Sequence, residues 1–456
     1  MRGAAGIAVV ALAAGSLAAQ GAPPAGPSGR CDLVVVPRSD STRVNSIKQP
    51  SGQYNSFVGG GVTGSCPAQQ LTLTSDSAEY FGDLKRWHLI GNVHYKEPRL
   101  TLDSQVATYF MTDERVLAEG DVHTLLPSGT TLVGPRVDYY RAVPGVRAVG
   151  HMVAPGRPTI TLVEHDSTGK PSPPMTLIAN TTVMDEDSLV WASGHVEMTR
   201  EEVTATSDSA ALDGGHEFGR LMRKPVIHSR SGRPFTLYGT IIDLYGSQKQ
   251  LKRVLARGAG RAVSDDATVT ADTLDFEFTE GVMTRMHGWG ASRSHAVNPT
   301  YDILSDSLDM RSPGQRLREI RSVRKAFAQS IPDSTKVRTK KKDWMRGDTI
   351  IARFDSTPAI TKADSGRQPQ MLQLIALGNA SSYYQFASKD TTAIGPVINY
   401  VRGSSVDVAF LDRQVQTVTV KDSVAGVYVE PVPKVKPKKT DTTATPKKTP
   451  AKKTTP

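Results

Sequence analysis

The sequence predicts an all-β protein, an elongated, thin stack of antiparallel hairpins. One observation behind this prediction is a two-part motif. An Asp beside hydroxyl residues is followed, about half a repeat later, by a Gly and a small or branched residue. The two parts stand 15 residues apart from Asp76 to Gly91 and 17 apart from Asp103 to Gly120. Two further observations support the prediction. Apolar and polar residues alternate as is typical of half-buried strands, and no segment has a sustained helical period.

The motif returns along most of the chain. Its first part recurs at residues 74–78, 101–104, 206–210, 270–274, 304–308 and 347–350, and its second part at 91–93, 120–122, 194–196, 258–260, 288–290 and 378–380. A repeat of this kind indicates stacked units rather than one closed active site.

The composition suits a thin, two-layer fold. Of the 456 residues, 38% are hydrophobic and only 6% aromatic, which is lean for a deep globular core. The net charge is +10, but residues 434–456 hold eight Lys against Asp441, a net of +7, and Arg2 adds one more. The rest of the chain carries about +2, so we expect no nucleic-acid partner.

Residues 1–20 predict a secretory signal peptide. Arg2 precedes an apolar run at residues 7–14, and small residues follow. The run is too short to span a bilayer, and no later stretch approaches the roughly 20 apolar residues that a spanning helix needs. We expect an exported, soluble mature chain, with retention of this segment as an N-terminal anchor as the alternative.

Residues 21–68 are rich in Gly, Pro and Ser, and we interpret them as a linker with one ordered N-terminal strand. The chain has only two cysteines, Cys31 and Cys66. An even number in an oxidising compartment predicts a disulfide, worth about 4 kcal/mol for a loop of this size in the chain-entropy treatment. Two unpaired thiols are the alternative.

Alternation and turn residues divide the remaining chain into arrays. We predict a first hairpin array at 69–167, a linker at 168–175 that hinges two sub-arrays, a second array at 176–310, divergent repeats with a basic insert at 311–430, and a disordered Lys/Pro/Thr tail at 431–456. The tail is either a solubilising segment or a contact for acidic headgroups or cell-wall polymer.

One segment, residues 317–326, has a spacing that also allows a helix. We interpret it as a strand because it superposes on residues 371–380 when Val323 is set on Leu377 and Ala326 on Ala380. Arg324 then stands where Gly378 does, so the segment is a divergent repeat.

These motifs resemble the OstA-like (organic-solvent-tolerance) family, the periplasmic domains of lipopolysaccharide-transport proteins such as LptA. The resemblance rests on the succession 75–80, 89–93, 102–109 and 116–122. It is dense from about residue 69 to 140, looser from 176 to 310, and present again at 347–429. It implies an open, twisted β-jelly-roll with an apolar inside, a periplasmic location, and a role in outer-membrane biogenesis.

The resemblance further implies that the apolar groove shields the acyl chains of lipopolysaccharide on their way to the outer membrane. It implies other transport components as partners, joined by strand addition at terminal strands, and end-to-end association of copies. A bridge component with extra repeats and a divergent relative with another lipid both remain open.

Candidate positions for the lining of the groove are the apolar phase of each strand, and mutual packing of these side chains is the alternative. The candidates are Trp87, Leu89, Val93, Leu100, Leu102, Val106, Val116, Ala118, Val122, Leu132, Val190, Ala192, Val196 and Met198. The motif glycines Gly91, Gly120 and Gly194 predict close strand approach or a bulge.

We find no catalytic constellation, and we expect no enzyme activity, no cofactor and no metal. The motif Asp residues recur once per repeat, whereas glycoside hydrolysis needs two carboxylates at one place, so strand-end hydrogen bonding is the simpler account. His88 and His94 lack a third ligand at metal-site spacing. Two other functions stay open: a structural or adhesive envelope β-solenoid without lipid, and a β-solenoid enzyme acting on polysaccharide.

Overall fold

A computed structural model describes residues 31, 33–37, 42–163, 165, 169, 172–201, 203–230, 234–265, 267–299, 301–330, 339–355, 370–388, 395–411 and 414–432. Within these ranges the protein is all-β, with 28 strands and three 3-10 turns at Pro67–Gln69, Gly82–Leu84 and Pro313–Gln315. The predicted class, stacked antiparallel strands, is confirmed. The predicted signal peptide at 1–20 and residues 433–456 of the predicted tail lie outside the described residues.

The first fourteen strands are β1 (Val34–Pro37), β2 (Arg43–Lys48), β3 (Tyr54–Cys66), β4 (Leu71–Phe81), β5 (Arg86–Glu97), β6 (Leu100–Phe110), β7 (Arg115–Leu125), β8 (Thr131–Tyr140), β9 (His151–Pro155), β10 (Thr159–Leu162), β11 (Met175–Ile178), β12 (Thr181–Asp185), β13 (Leu189–Arg200) and β14 (Val203–Asp213). The remaining strands are β15 (Phe218–Met222), β16 (Val226–Ser229), β17 (Phe235–Tyr238), β18 (Ile241–Ser247), β19 (Gln250–Ser264), β20 (Thr268–Thr279), β21 (Val282–Val297), β22 (Tyr301–Arg311), β23 (Glu319–Ser330), β24 (Asp343–Phe354), β25 (Met371–Phe386), β26 (Val397–Leu411), β27 (Gln414–Lys421) and β28 (Ala425–Val429).

The chain divides into two compact units. Unit 1 comprises Met1–Ala262 and Asp275–Val282, and unit 2 comprises Val263–Leu274 and Met283–Pro456. The linker predicted at 168–175 falls inside unit 1. The described part of segment 21–68 contains the three strands β1, β2 and β3, where the sequence predicted one.

Antiparallel pairing between chain neighbours organises each unit. In unit 1, β3 to β8 form a meander. Two short strands, β9 and β10, then pair with opposite ends of β8, and β12 and β11 pair with opposite ends of β13. In unit 2, β21 to β26 form a second meander, and β27 and β28 pair with opposite ends of β26.

A corner interrupts each long strand near its middle. Between Thr74 and Ser77 of β4 the register shifts, so that two residues of β4 face three residues of β5. The extra residue of β5 belongs to Gly91–Asn92, and both residues are left-handed, with φ of +77° and +44°. A side chain at Gly91 would collide with the Asp76 carboxylate, which accepts a hydrogen bond from Asn92 Nδ2 at 2.8 Å. The motif Gly therefore forms a β-bulge, as predicted.

The hydroxyl of the motif also belongs to the corner. Ser75, Ser104, Ser207 and Ser305 are buried there, and each donates a hydrogen bond to the carbonyl two residues later, at 2.8–3.0 Å. Such local bonds satisfy backbone groups where the strand bends. The Asp and its hydroxyl neighbour therefore act in the middle of strands, and not at strand ends as the sequence suggested.

The corners split the sheet of unit 1 into two halves. Half A contains the cross-strand row Trp87, Tyr109, Val116 and Tyr139, and half B contains the row Tyr95, Leu102, Thr124 and Leu132.

Half A folds back over half B. Tyr139 lies in the same cross-strand row as Trp87. Along β5, Trp87 is ten residues from Glu97, which corresponds to roughly 33 Å in a flat strand. Yet the Tyr139 hydroxyl donates a hydrogen bond to Glu97 Oε1 at 2.5 Å. This contact requires the strands to turn at the corners, so that the inner faces of the two halves meet.

Residues 317–326 contribute to strand β23, as predicted. The register shifts lie between Val323 and Ala326 and between Leu377 and Ala380, the two pairs that the sequence aligned. Arg324 has a φ of +62°, close to the +69° of Gly378. This corner keeps the left-handed geometry without a glycine, at a strain of roughly 1–2 kcal/mol.

Candidate functional site

The inner faces of the two halves of unit 1 form an apolar interior, and the predicted lining residues lie there with one exception. Every candidate except Val106 is at most 8% exposed. The larger side chains of Tyr95, Tyr109, Ile160 and Leu177 are buried with them. Because these side chains fill the interior by packing on one another, their contact with a lipid stays a prediction.

Val106 lies on the other face. Alternation from Leu102 places it inward, but it is only half-buried, and its neighbour Ala107 is buried instead. The register shift between Asp103 and Val106 reverses the parity of the inward positions. The prediction for Val106 is therefore wrong, because simple alternation does not continue across a corner.

A buried ionic cluster joins the two halves on the side opposite the corners. Arg141 Nε donates to Glu97 Oε2 at 2.7 Å, and Arg141 Nη1 donates to Glu114 Oε2 at 2.6 Å. The three side chains are 6%, 5% and 2% exposed, respectively. Glu97 ends a strand of half B, whereas Arg141 and Glu114 flank strands of half A, so one guanidinium holds both halves.

Tyrosine hydroxyls surround this cluster. The Tyr109 hydroxyl donates to Glu114 Oε2 at 2.7 Å. Within the described part of the chain, the buried Tyr95 hydroxyl has no hydrogen-bond partner. Burial, followed by the charge of Glu97, raises the pKa of Tyr95 well above its usual value. Burial alone would lower the pKa of Arg141, but Tyr95 and Glu97 raise it, so the guanidinium stays charged.

The disulfide lies on the same side. Cys31 and Cys66 are bonded, with their Cα atoms 5.8 Å apart. Cys66 ends a strand of half B, and the backbone N–H of Cys31 donates to Glu114 Oε1 in half A at 2.6 Å. The N-terminal segment thus ties the two halves together through one covalent bond and one charge-assisted hydrogen bond.

Two further arginines cross from half B to half A. Arg99 forms an ion pair with Glu186, and both side chains are partly exposed. Arg200 donates to the carbonyl oxygen of Lys249 at 3.3 Å. We call the contacts of Arg141, Arg99 and Arg200 across this side the rim clasp.

The rim clasp, unlike the two cysteines, could not be recognised from the sequence. Its partners are far apart in the chain, up to 87 residues between Arg99 and Glu186, and no local pattern connects them. One signal was available: Glu97 occupies an inward position of β5, in phase with the buried Val93 and Tyr95. A carboxylate at an apolar position indicates a buried partner.

Unit 2 carries an aromatic row on the outer face of its sheet. The Trp344 ring stacks on Tyr383 at 6.1 Å between centroids and contacts Tyr400 at 6.1 Å, and the Arg346 guanidinium lies over Trp344 at 5.6 Å. Asp343 precedes this row but is buried on the opposite face of β24, where burial raises its pKa to about 6. The row and this carboxylate therefore do not share a surface.

Neither the histidines nor the motif Asp residues form a metal site in the described ranges. No group of three or more His, Cys, Asp or Glu there has a metal-binding arrangement. His88 instead contacts the Thr108 hydroxyl at 3.0 Å, and His94 contacts Asp103 at 2.5 Å. The described part also contains no helix with the length and apolar character that membrane crossing requires.

Each unit has an exposed terminal strand. All six residues of β2 are exposed, including Val44 and Ile47, and all five residues of β28 are exposed, including Val427 and Tyr428. β2 pairs with β3, and β28 pairs with β26. Exposed edge strands present backbone groups to which another chain can add a strand.

No family model matches the chain, and no curated protein matches it. Among solved structures it is similar to LptH from Pseudomonas aeruginosa, described as the LptA homologous periplasmic component of the lipopolysaccharide transport device. The identity is 14%, the match covers 26% of this chain and 84% of LptH, and the TM-score is 0.23. At this TM-score we draw no functional conclusion from the match.

Proposed function

We propose that the protein is a periplasmic OstA-like carrier that binds the acyl chains of lipopolysaccharide, or of a related glycolipid, inside unit 1 and moves them toward the outer membrane. It acts by binding and not by catalysis. The observation that carries this proposal is the apolar interior between two facing sheet halves, with Leu89, Leu102, Val116 and Val122 fully buried in it.

The free energy of hydration makes such an interior necessary for a lipid carrier. Each buried methylene contributes about 0.8 kcal/mol, so exposing one acyl chain of around a dozen carbons costs on the order of 10 kcal/mol. A carrier must keep the chain against apolar surface throughout. Two facing walls on successive strands of unit 1 offer this surface along the direction in which the strands stack.

Binding requires the halves to move apart, because an interior filled by its own side chains leaves no space for an acyl chain. The fold offers a hinge for this movement. At each corner a β-bulge already bends the strand, and the neighbouring pairs on either side keep their hydrogen bonds.

The exposed terminal strands support the second part of the proposal, in which transport components or further copies of the chain join by strand addition. β2 and β28 combine exposed Val, Ile and Tyr side chains with available strand edges. A continuous route for acyl chains needs such junctions, since a gap would expose the chains to water.

A photo-crosslinking scan tests the proposal. The crosslinker replaces Leu89 and Val122, which are buried inside, or Val106, which is half-buried on the other face and serves as the matched control. We expect adducts with lipopolysaccharide at the two inner positions and not at Val106. A folded protein without glycolipid adducts at either inner position would overturn the proposal.

A second candidate function is a structural envelope protein without a lipid ligand. The complete burial of Leu89, Leu102 and Val122 by the protein's own side chains favours it, because a self-packed interior needs no ligand for stability. The same scan separates the two candidates, since this second function predicts no adducts at any position.

A further inference from the structure

The rim clasp closes the path by which a ligand would reach the interior of unit 1. Around the corners the strands remain hydrogen-bonded through backbone pairing, for example between β5 and β6. On the opposite side the two halves are joined by side chains, through the disulfide segment and the rim clasp. Side-chain contacts can break one at a time, so this side is where the halves can separate.

The chemistry of the clasp selects a kind of ligand. Three arginines supply its cations: Arg141 from half A, and Arg99 and Arg200 from half B. When the halves separate, Arg141 loses Glu97 and Arg99 loses Glu186, and both carboxylates become hydrated. Guanidinium forms bidentate hydrogen bonds with phosphate, so a phosphorylated headgroup can replace the lost carboxylates.

The Tyr95 hydroxyl points to the same conclusion. It is fully buried beside the cluster, and it has no partner in the described part of the structure. A buried hydroxyl without a hydrogen bond is costly and rare in folded proteins. A headgroup oxygen that enters the opened rim beside Glu97 would give this donor an acceptor.

We propose that the rim clasp is a lateral gate, opened when the phosphate groups of an anionic glycolipid replace Glu97 as a partner of Arg141 and Glu186 as the partner of Arg99. The acyl chains then enter between halves A and B, and the headgroup stays at the rim. This inference rests on the proposed function, since it names the side on which the lipid enters the same interior and the class of headgroup that the lipid carries.

Crosslinking the rim tests the gate. Arg99→Cys and Glu186→Cys place one thiol on each half, and a short bismaleimide joins them while the native disulfide stays oxidised. The control pair, Ser46→Cys and Ser56→Cys, receives the same reagent on the outer face, where the two hydroxyls are 2.8 Å apart on neighbouring strands. We expect the rim crosslink to abolish binding of phosphorylated lipid A relative to the same double-Cys variant before the reagent is added, and the control crosslink to leave binding by its own variant unchanged.

Two single substitutions distinguish the role of the Arg99–Glu186 pair in closing the gate from the role of Arg99 in binding the headgroup. Glu186→Gln weakens the rim clasp but keeps Arg99. We therefore expect association with phosphorylated lipid A to become about 2–5-fold faster, the factor that corresponds to the free energy of a partly exposed ion pair. Arg99→Gln also weakens the rim clasp, but it should reduce the ratio of the affinity for phosphorylated lipid A to the affinity for dephosphorylated lipid A. Wild-type protein measured with both lipids gives the reference.

The outcomes keep the two proposals distinct. If wild-type protein binds neither lipid, the proposed function fails and the gate fails with it. If wild-type protein binds and the rim crosslink changes nothing, the gate is wrong while the lipid carrier stands. Equal binding of phosphorylated and dephosphorylated lipid A by wild-type protein would overturn the phosphate part of the inference.

Discussion

Replacing Arg141 by Met tests the structural role of the buried ionic cluster. Arg141 is 6% exposed and holds both Glu97 and Glu114. Removing one partner of a buried ion pair costs about 3–5 kcal/mol, because the remaining charges stay buried and unpaired. For a unit of this size, about 4 kcal/mol corresponds to a fall in Tm of roughly 8–16 °C.

Thermal unfolding followed by far-UV circular dichroism, with Trp87 fluorescence as a local probe, measures this effect. The control is Arg157→Met, because Arg157 forms an exposed ion pair with Glu197 and should contribute less than about 1 kcal/mol. Adding Glu97→Gln and Glu114→Gln to Arg141→Met should recover most of the loss, since no buried charge then lacks a partner. Equal Tm changes for the two single substitutions would refute the reasoning.

Three further predictions concern other parts of the fold. Because burial raises the pKa of Asp343 to about 6, wild-type stability contains a contribution that is present below pH ~4 and lost as the pH rises through ~6, on the order of 3 kcal/mol. Urea unfolding should therefore show that the stability of Asp343→Asn relative to wild type rises from pH 4 to 7, and a constant difference would contradict this. Gly91→Ala should destabilise by about 1–3 kcal/mol, whereas Gly59→Ala, where the added methyl meets open space, should be nearly neutral. Joint replacement of Cys31 and Cys66 by Ser should cost about 4 kcal/mol in urea unfolding, and a loss below 1 kcal/mol would argue against a tether.

The repeat could be predicted from the sequence because the residues that form each corner lie close together in the chain. Gly91 and Asp76 meet at one corner, and their spacing repeats along the chain, so a bulge was expected at each motif glycine. Even the divergent corner at Arg324 could be located by superposition on Gly378, and both residues are left-handed in the structure.

The parts that the sequence did not reveal depend on three-dimensional folding. Val106 was misplaced because the bulge shifts the register by one residue and reverses which side chains face inward. The rim clasp was missed because it forms only when half A folds over half B, which brings Arg99 beside Glu186, 87 residues away. No periodicity marks such a contact.

Quenching of tryptophan fluorescence by brominated acyl chains tests the central claim most directly. Of the four tryptophans, Trp87 is 8% exposed in the interior of unit 1, and Trp191 is 42% exposed on the outer face of the same unit. Two variants, each keeping only one of these residues, would be mixed with lipid A that carries brominated chains. We predict strong quenching of Trp87 and little quenching of Trp191. Equal quenching of both, or quenching of Trp191 alone, would contradict the account.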